Sequence, residues 1–228
     1  SKSIGCEAII VDDGWQTTDN NRGYAYCGDW QVAPEKIPDM KAHVARVHDI
    51  GLKYILWYSV PFVGKHSQAA ERFKGKTLQF IERLGCHVLD PRFPDVREAI
   101  ITIYENALKD WDLDGFKLDF IDSFRQPDPD PNADAPDKDF ESVDQAVEQL
   151  LKDVLKRLKA IKPDILTEFR QSYIGPGMRQ YGNMLRAGDV PNNHLGNRLG
   201  TTMVRLLCNH TPTHADMIMW HPDDPVES

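Results

Sequence analysis

Short apolar, β-branched runs alternate along this chain with longer stretches whose apolar positions recur at helical spacing, and that alternation limits the fold more than anything else. Residues 6–11, 53–58, 86–90, 114–120, 164–169, 183–189 and 216–220 read as strands. Helices are predicted between them. One runs over 38–50, closed by Gly51; a second carries Ala70, Phe73, Phe80, Ile81 and Leu84 on one face. Another opens at Pro94 with Val96, Ile100, Ile103 and Ala107 as its inner stripe, and two more span 143–161 and 195–208. Strands joined through helices pair in parallel by right-handed crossovers, which leaves a doubly wound sheet or a β/α barrel.

Two features select the barrel. No glycine-rich phosphate loop follows the first strand, so the nucleotide-binding sheet lacks its signature. Polar residues stand at the C-terminal ends of nearly every strand: Asp12, Asp13, Asp90, Asp119, Glu168, Asp189 and His221. A barrel gathers such ends at one mouth, whereas an open sheet spreads them along an edge. A closed (β/α)8 barrel needs about eight strands, so the expectation is one catalytic barrel domain over residues 1–228 that lacks its first βα unit.

Composition narrows the class of partner. The formal net charge is -8, which argues against a nucleic acid or an anionic membrane and leaves neutral or cationic ligands. Cys6, Cys27, Cys86 and Cys208 are too far apart for a zinc-site or disulfide-scaffold pattern, so they read as buried thiols. No apolar run approaches the roughly 18 residues of a membrane span. The segment 126–139, rich in Asp and Pro, is expected as a mobile, solvated loop; a calcium loop through Asp128, Asp130, Asn132 and Asp134 is discounted because Ala133 stands where the turn needs Gly.

The chemistry centres on Asp114-Gly-Phe-Lys-Leu-Asp-Phe120. In a strand Lys117 and Asp119 share one face, so the cation favours an ionised Asp119 suited to nucleophilic attack; the bland alternative is a strand-end ion pair. Two carboxylates across a polar mouth, one ionised and one protonated, point to glycosidic bond cleavage. Asp119 takes the ionised role and Asp189 the proton donor's, with a pKa raised by burial and neighbouring acids unless Arg186 turns inward. Two other classes stay open: a metal-dependent hydrolase using Asp12, Asp90 and a histidine, and a sugar-binding barrel without turnover. His214, Asp216 and His221 read as structural.

Several motifs resemble one family. They are Ile-Val-Asp-Asp-Gly-Trp-Gln at 10–16, Gly-Asp-Trp at 28–30 before Pro-Glu-Lys-Ile-Pro at 34–38, Gly-Leu-Lys-Tyr-Ile-Leu-Trp at 51–57, Phe-Lys-Leu-Asp at 116–119, and Asp189. In this order they resemble the melibiase and raffinose-synthase group of retaining α-galactosidases. The resemblance implies a barrel flanked by β-sandwich domains, of which this chain is the central fragment. It implies Asp119 as nucleophile, Asp189 as acid/base, and Asp12, Asp13, Trp30 and Lys117 as sugar contacts. It implies an α-galactosyl carbohydrate as partner, hydrolysis or transfer as the reaction, and no cofactor or metal; a homo-oligomer stays open. Two departures bear on specificity. Glu-Phe-Arg-Gln-Ser-Tyr at 168–173 replaces the family's Glu-Ser-Cys and glycine run, and Arg-Ala-Gly at 186–188 replaces Trp-Thr-Ser. Arg170 and Arg186 therefore join the substrate-binding candidates.

Overall fold

The computed structural model describes residues 2–19, 21, 23–217, 219 and 223. The chain divides into two compact units, residues 1–165 and 166–228.

In the first unit, β1 (Ala8–Val11) lies parallel to β2 (Lys53–Ser59), with Ile10 opposite Ile55. Between them Asp39 caps α1 (Met40–Asp49): its carboxylate accepts from the Ala42 amide at 2.9 Å, and Met40, Val44 and Val47 are buried beneath. Gly51, at φ +78, turns the chain back into β2. The unit's third parallel strand, β6 (Gly115–Asp119), is buried throughout and registers Trp57 with Lys117 and Ser59 with Asp119. Its two faces differ. Tyr58 and Phe116 point toward α3 (Pro94–Trp111), whose Tyr104 ring sits 5.2 Å from each. Trp57, Lys117 and Asp119 lie on the opposite pleat.

Helix α4 (Val143–Ile161) packs on α3 and buries Leu150, Val154 and Leu158. Each such side chain contributes about 1.5–3 kcal/mol in transfer free energy. These elements match the spacing in the sequence.

The segment between β2 and α3 does not. The expected helix through Ala70, Phe73, Phe80, Ile81 and Leu84 is replaced by a short helix α2 (Gln68–Arg72), a strand β4 (Thr77–Ile81) and a turn of 3-10 helix at Glu82–Leu84. Gly75, at φ +79, stops the helix, and the rest of the segment pairs instead of coiling. With β3 (Phe62–Gly64) and β5 (Cys86–Leu89), β4 forms a separate antiparallel sheet ordered β3-β5-β4, in which Phe80 and His87 pair with ring centroids 4.6 Å apart. The run at 86–90 is therefore a strand, as its composition predicts, but not one of the parallel series.

The long loop after β1 is stapled to this small sheet. The Tyr24 amide donates to the Leu84 carbonyl at 2.7 Å and the Gly64 amide to that of Cys27 at 2.7 Å. Gly64 is required there, because a Cβ would stand 2.1 Å from the Ala25 carbonyl carbon.

The segment 126–139 departs from the expected mobile loop. Arg92, fully buried, grips both Asp90 and Asp130; Asn132 is buried and donates to Asp90 at 2.8 Å; Arg97 holds Asp139. A segment too polar to bury itself is thus tied down by charged partners supplied from the turn after β5 and from α3.

In the second unit, β7 (Leu166–Arg170), β8 (Met184–Arg186) and β9 (Thr213–His214) run parallel, pairing Arg170 with Arg186 and Arg186 with His214. Asn193 caps α5 (His194–Cys208). Among the described residues the last strand is the one at 213–214; the strand expected at 216–220 includes Ile218 and Trp220, which with His221 lie outside the described residues. No helix among the described residues is long and apolar enough to cross a membrane.

Candidate active site

Asp119 ends β6, where the chain leaves the sheet through Phe120 at φ 64. A bulky residue in the left-handed region is uncommon and needs surrounding contacts to hold it. Here the Phe120 ring packs 4.8 Å from Phe62 and 5.0 Å from Tyr24, and its amide donates to Asp119 Oδ1 at 2.8 Å. The Trp57 indole N–H donates to Asp119 Oδ2 at 3.1 Å. Each carboxylate oxygen thus has a donor fixed by the sheet, and the side chain is only 7% exposed. Neither donor was legible: the backbone amide carries no sequence signal, and Trp57 emerges only once β2 is registered against Lys117.

Lys117 shares the pleat of Asp119, as strand alternation requires, and its ammonium pairs with Asp12 at 2.5 Å. The carboxylate delivered by β1 and the cation delivered by β6 are thereby joined across β2. Asp13, next in the chain, is held by Gln16 at 2.8 Å, and burial pushes its carboxyl above the ordinary range. Trp30 has φ 52 and is 9% exposed; its ring stacks on Trp15 at 6.0 Å and tilts onto Tyr58 at 4.8 Å. Most of the ring expected as a sugar contact is therefore spent on neighbouring aromatics. Asp90 belongs to the Arg92 knot: Arg92 and Asn132 occupy its oxygens, which removes it from the metal set that the sequence left open.

In the second unit Arg186 is 1% exposed and turns inward, the orientation that works against a protonated Asp189. Its Nε donates to Glu168 at 2.7 Å, and its Nη1 contacts Asp189 and lies 3.3 Å from Asp216. Burial alone would raise the Asp189 carboxyl, but the Arg186 hydrogen bond and charge outweigh it and leave the pKa below the ordinary value. The raised pKa expected of a proton donor is thus reversed. Its physical reason is a guanidinium that cannot lose its charge and sits among three carboxylates. Asp216, expected only as a structural residue, belongs to this cluster. Arg170 donates to the Gln171 carbonyl at 2.9 Å and stands 5.3 Å over the Tyr173 ring.

Comparison with known proteins bears on the fold and the family. A galactosaminidase of Flavonifractor plautii, named for A-type blood α-D-galactosamine, is 26% identical over 138 residues, covering 53% of this chain and 12% of that protein. Among solved structures, the galactosidase domain of the α-galactosidase-sucrose kinase AgaSK superposes with a TM-score of 0.71 at 19% identity, over 99% of this chain and 31% of that one. The GH36 α-galactosidase AgaA of Geobacillus stearothermophilus gives 0.66 at 22% identity, over 89% and 29%. A variant of AgaA has been solved with raffinose bound. The chain therefore spans under a third of the length of these relatives and shares their α/β fold. The melibiase sequence profile matches residues 1–190, most of the chain, and the protein belongs to the melibiase family.

Proposed function

We propose that this chain is the catalytic β/α-barrel portion of a retaining glycoside hydrolase acting on α-galactosides. The observation that carries the reading is Asp119: a carboxylate at the C-terminal end of a wholly buried strand, with a fixed donor on each oxygen and the Lys117–Asp12 pair beside it on the same pleat. Family membership and the fold shared with α-galactosidases support it.

In this reading an Asp119 oxygen attacks the anomeric carbon as the glycosidic C–O bond breaks, and Asp189 gives its proton to the leaving oxygen. Water, deprotonated by Asp189, then displaces Asp119 and regenerates both groups. A retaining pair holds its carboxyls about 5–5.5 Å apart. Asp12, Asp13 and Lys117 grip sugar hydroxyls, Trp30 offers its exposed edge, and Arg170 and Arg186 set the preference around the leaving group. No step requires a cofactor. A second reading, an α-N-acetylgalactosaminidase, is favoured by the galactosaminidase relative. Transfer to a second sugar would use the same intermediate.

The test is an assay of the full-length protein on aryl α-galactoside and aryl α-N-acetylgalactosaminide, with Asp119→Ala and Asp189→Ala. Asp119→Ala should abolish turnover and azide should restore it as the β-glycosyl azide. Undiminished turnover in Asp119→Ala would refute the assignment.

A further inference from the structure

Asp189 and Asp216 follow the ends of neighbouring parallel strands, β8 at Arg186 and β9 at His214. Backbone bonds fasten the two arms on either side of the pair: the Ala187 amide donates to the His214 carbonyl at 3.0 Å, and the Met219 amide to that of Pro191 at 3.1 Å. Between these ties both carboxyls meet one nitrogen, Arg186 Nη1, which contacts Asp189 Oδ1 and lies 3.3 Å from Asp216 Oδ2. We propose that Asp216 is a positioning residue for the proton donor: it keeps a proton of its own and donates a hydrogen bond to Asp189, fixing the carboxyl that serves the leaving group. The proposal rests on the reading of Asp189 as the acid/base.

Three observations carry it. The two side chains are hydrogen-bonded to each other, and carboxyl oxygens can bond only through a proton that one of them holds. Next, the surroundings decide which one holds it. Asp189 makes the closer contact with the guanidinium and its side chain is 63% exposed, so it ionises first; the Asp216 side chain is 13% exposed and farther from the cation, so it favours the neutral form. Finally, the other groups around the pair leave this order in place. Glu168 on β7 takes the guanidinium Nε at 2.7 Å, and Arg170 adds a positive field at Asp189. His214 Nδ1 donates to the Ala215 carbonyl at 2.7 Å, and its Nε2 stands 3.5 Å from Glu168. Helix α5, packed on β8 and β9, brings no acid; besides the buried Cys208 its titratable groups are the exposed Arg198 and Arg205, and His194 in the first turn. The Asp216 bond and the Arg186 charge therefore act in one direction, and both hold the Asp189 carboxyl below its ordinary value. During turnover the Asp216 proton stays in place while Asp189 gives up and regains its own.

The experiment uses the full-length protein and the pH profile of kcat/KM for the parent, Asp216→Asn and Asp216→Ala. Each is assayed on an aryl α-galactoside with a poor leaving group and on the dinitrophenyl α-galactoside, whose departure needs no proton. Asn copies the neutral, donating form of Asp216, so Asp216→Asn should leave the basic limb in place, within about half a pH unit. Ala removes the donor, so in Asp216→Ala the limb should move up by about one pH unit, a roughly tenfold gain in proton affinity, and only with the poor leaving group. A limb that moves down in either variant would mean that Asp216 carries a negative charge beside Asp189, and would overturn the proposal. So would a limb that stays put in Asp216→Ala, or equal losses on both substrates, the mark of a merely structural residue. If Asp216→Ala does not fold, the direction in Asp216→Asn decides alone. Asp189→Ala separates the two levels: undiminished turnover there would remove the acid/base reading and the proposal with it, whereas lost turnover there with an unmoved limb in Asp216→Ala would remove only the role of Asp216.

Discussion

Burial alone would lift the Asp189 carboxyl, yet the hydrogen bond and charge of Arg186 hold it below its ordinary value, and a general acid must be protonated when it meets substrate. The sign follows. For a group that acts as an acid, kcat/KM falls as pH rises through its pKa, so a depressed pKa places that fall on the acid side of neutrality. The pH profile of kcat/KM should show this basic limb no higher than the ordinary carboxyl pKa of about 3.9, whereas a plateau running to neutral pH would contradict Asp189 as the acid in this setting. Arg186→Ala should be costly for stability: it takes the guanidinium from the buried Glu168, a loss of about 3–5 kcal/mol readable as a lower Tm. At Asp119 the Trp57 indole is the accessible lever. Trp57→Phe keeps an aromatic ring but removes the donor on Oδ2, and kcat should drop roughly tenfold or more with KM little changed. Period-2 alternation made the Lys117 and Asp119 pairing of faces legible. The partner that Lys117 holds, Asp12, is 105 positions away and follows only from the strand register.

Elements were legible where one face alone decides their structure. Helix α4 repeats its apolar stripe over 19 residues and is found at the predicted bounds. The segment 68–84 was not: its apolar residues fit a helical wheel, but Gly75 breaks the helix and pairing with β5, a tertiary event, decides the remainder. The loop at 126–139 shows the same limit, since its composition says solvated while Arg92, far away in sequence, pins it. That pin titrates. The Arg92 guanidinium holds the Asp130 carboxyl down at about 2, so its contribution is complete above the unfolded value of 3.8 and is lost as pH falls through about 2. It amounts to about 2 kcal/mol, and Asp130→Asn should remove that much acid sensitivity from the unfolding free energy measured between pH ~5 and ~2. Gly64→Ala tests the staple between loop and small sheet. With backbone at 2.1 Å from the new Cβ, it should destabilise by several kcal/mol and expose the loop at 17–30 to proteolysis, whereas wild-type resistance would mean that the staple does not hold the loop.

At the scale of the whole molecule, the sequence carried the parallel βα plan and the acids at strand ends, because both follow from local pattern. It did not carry the separate antiparallel sheet, whose strands look like any other short apolar run until their partners are known. β1, β2 and β6 deliver the Asp12, Lys117 and Asp119 group, while the turn between β4 and β5 places Arg83 and Leu84 beside the cleft next to Asp13. The central claim is that Asp119 forms a bond to sugar. It is tested most directly by treating the full-length protein with a slow-turnover fluorinated α-galactosyl donor, digesting it, and locating the added hexosyl mass by peptide sequencing. The label should sit on Asp119, in the peptide that contains Phe116-Lys-Leu-Asp; a label on any other residue, or turnover with no covalent adduct, would contradict the account.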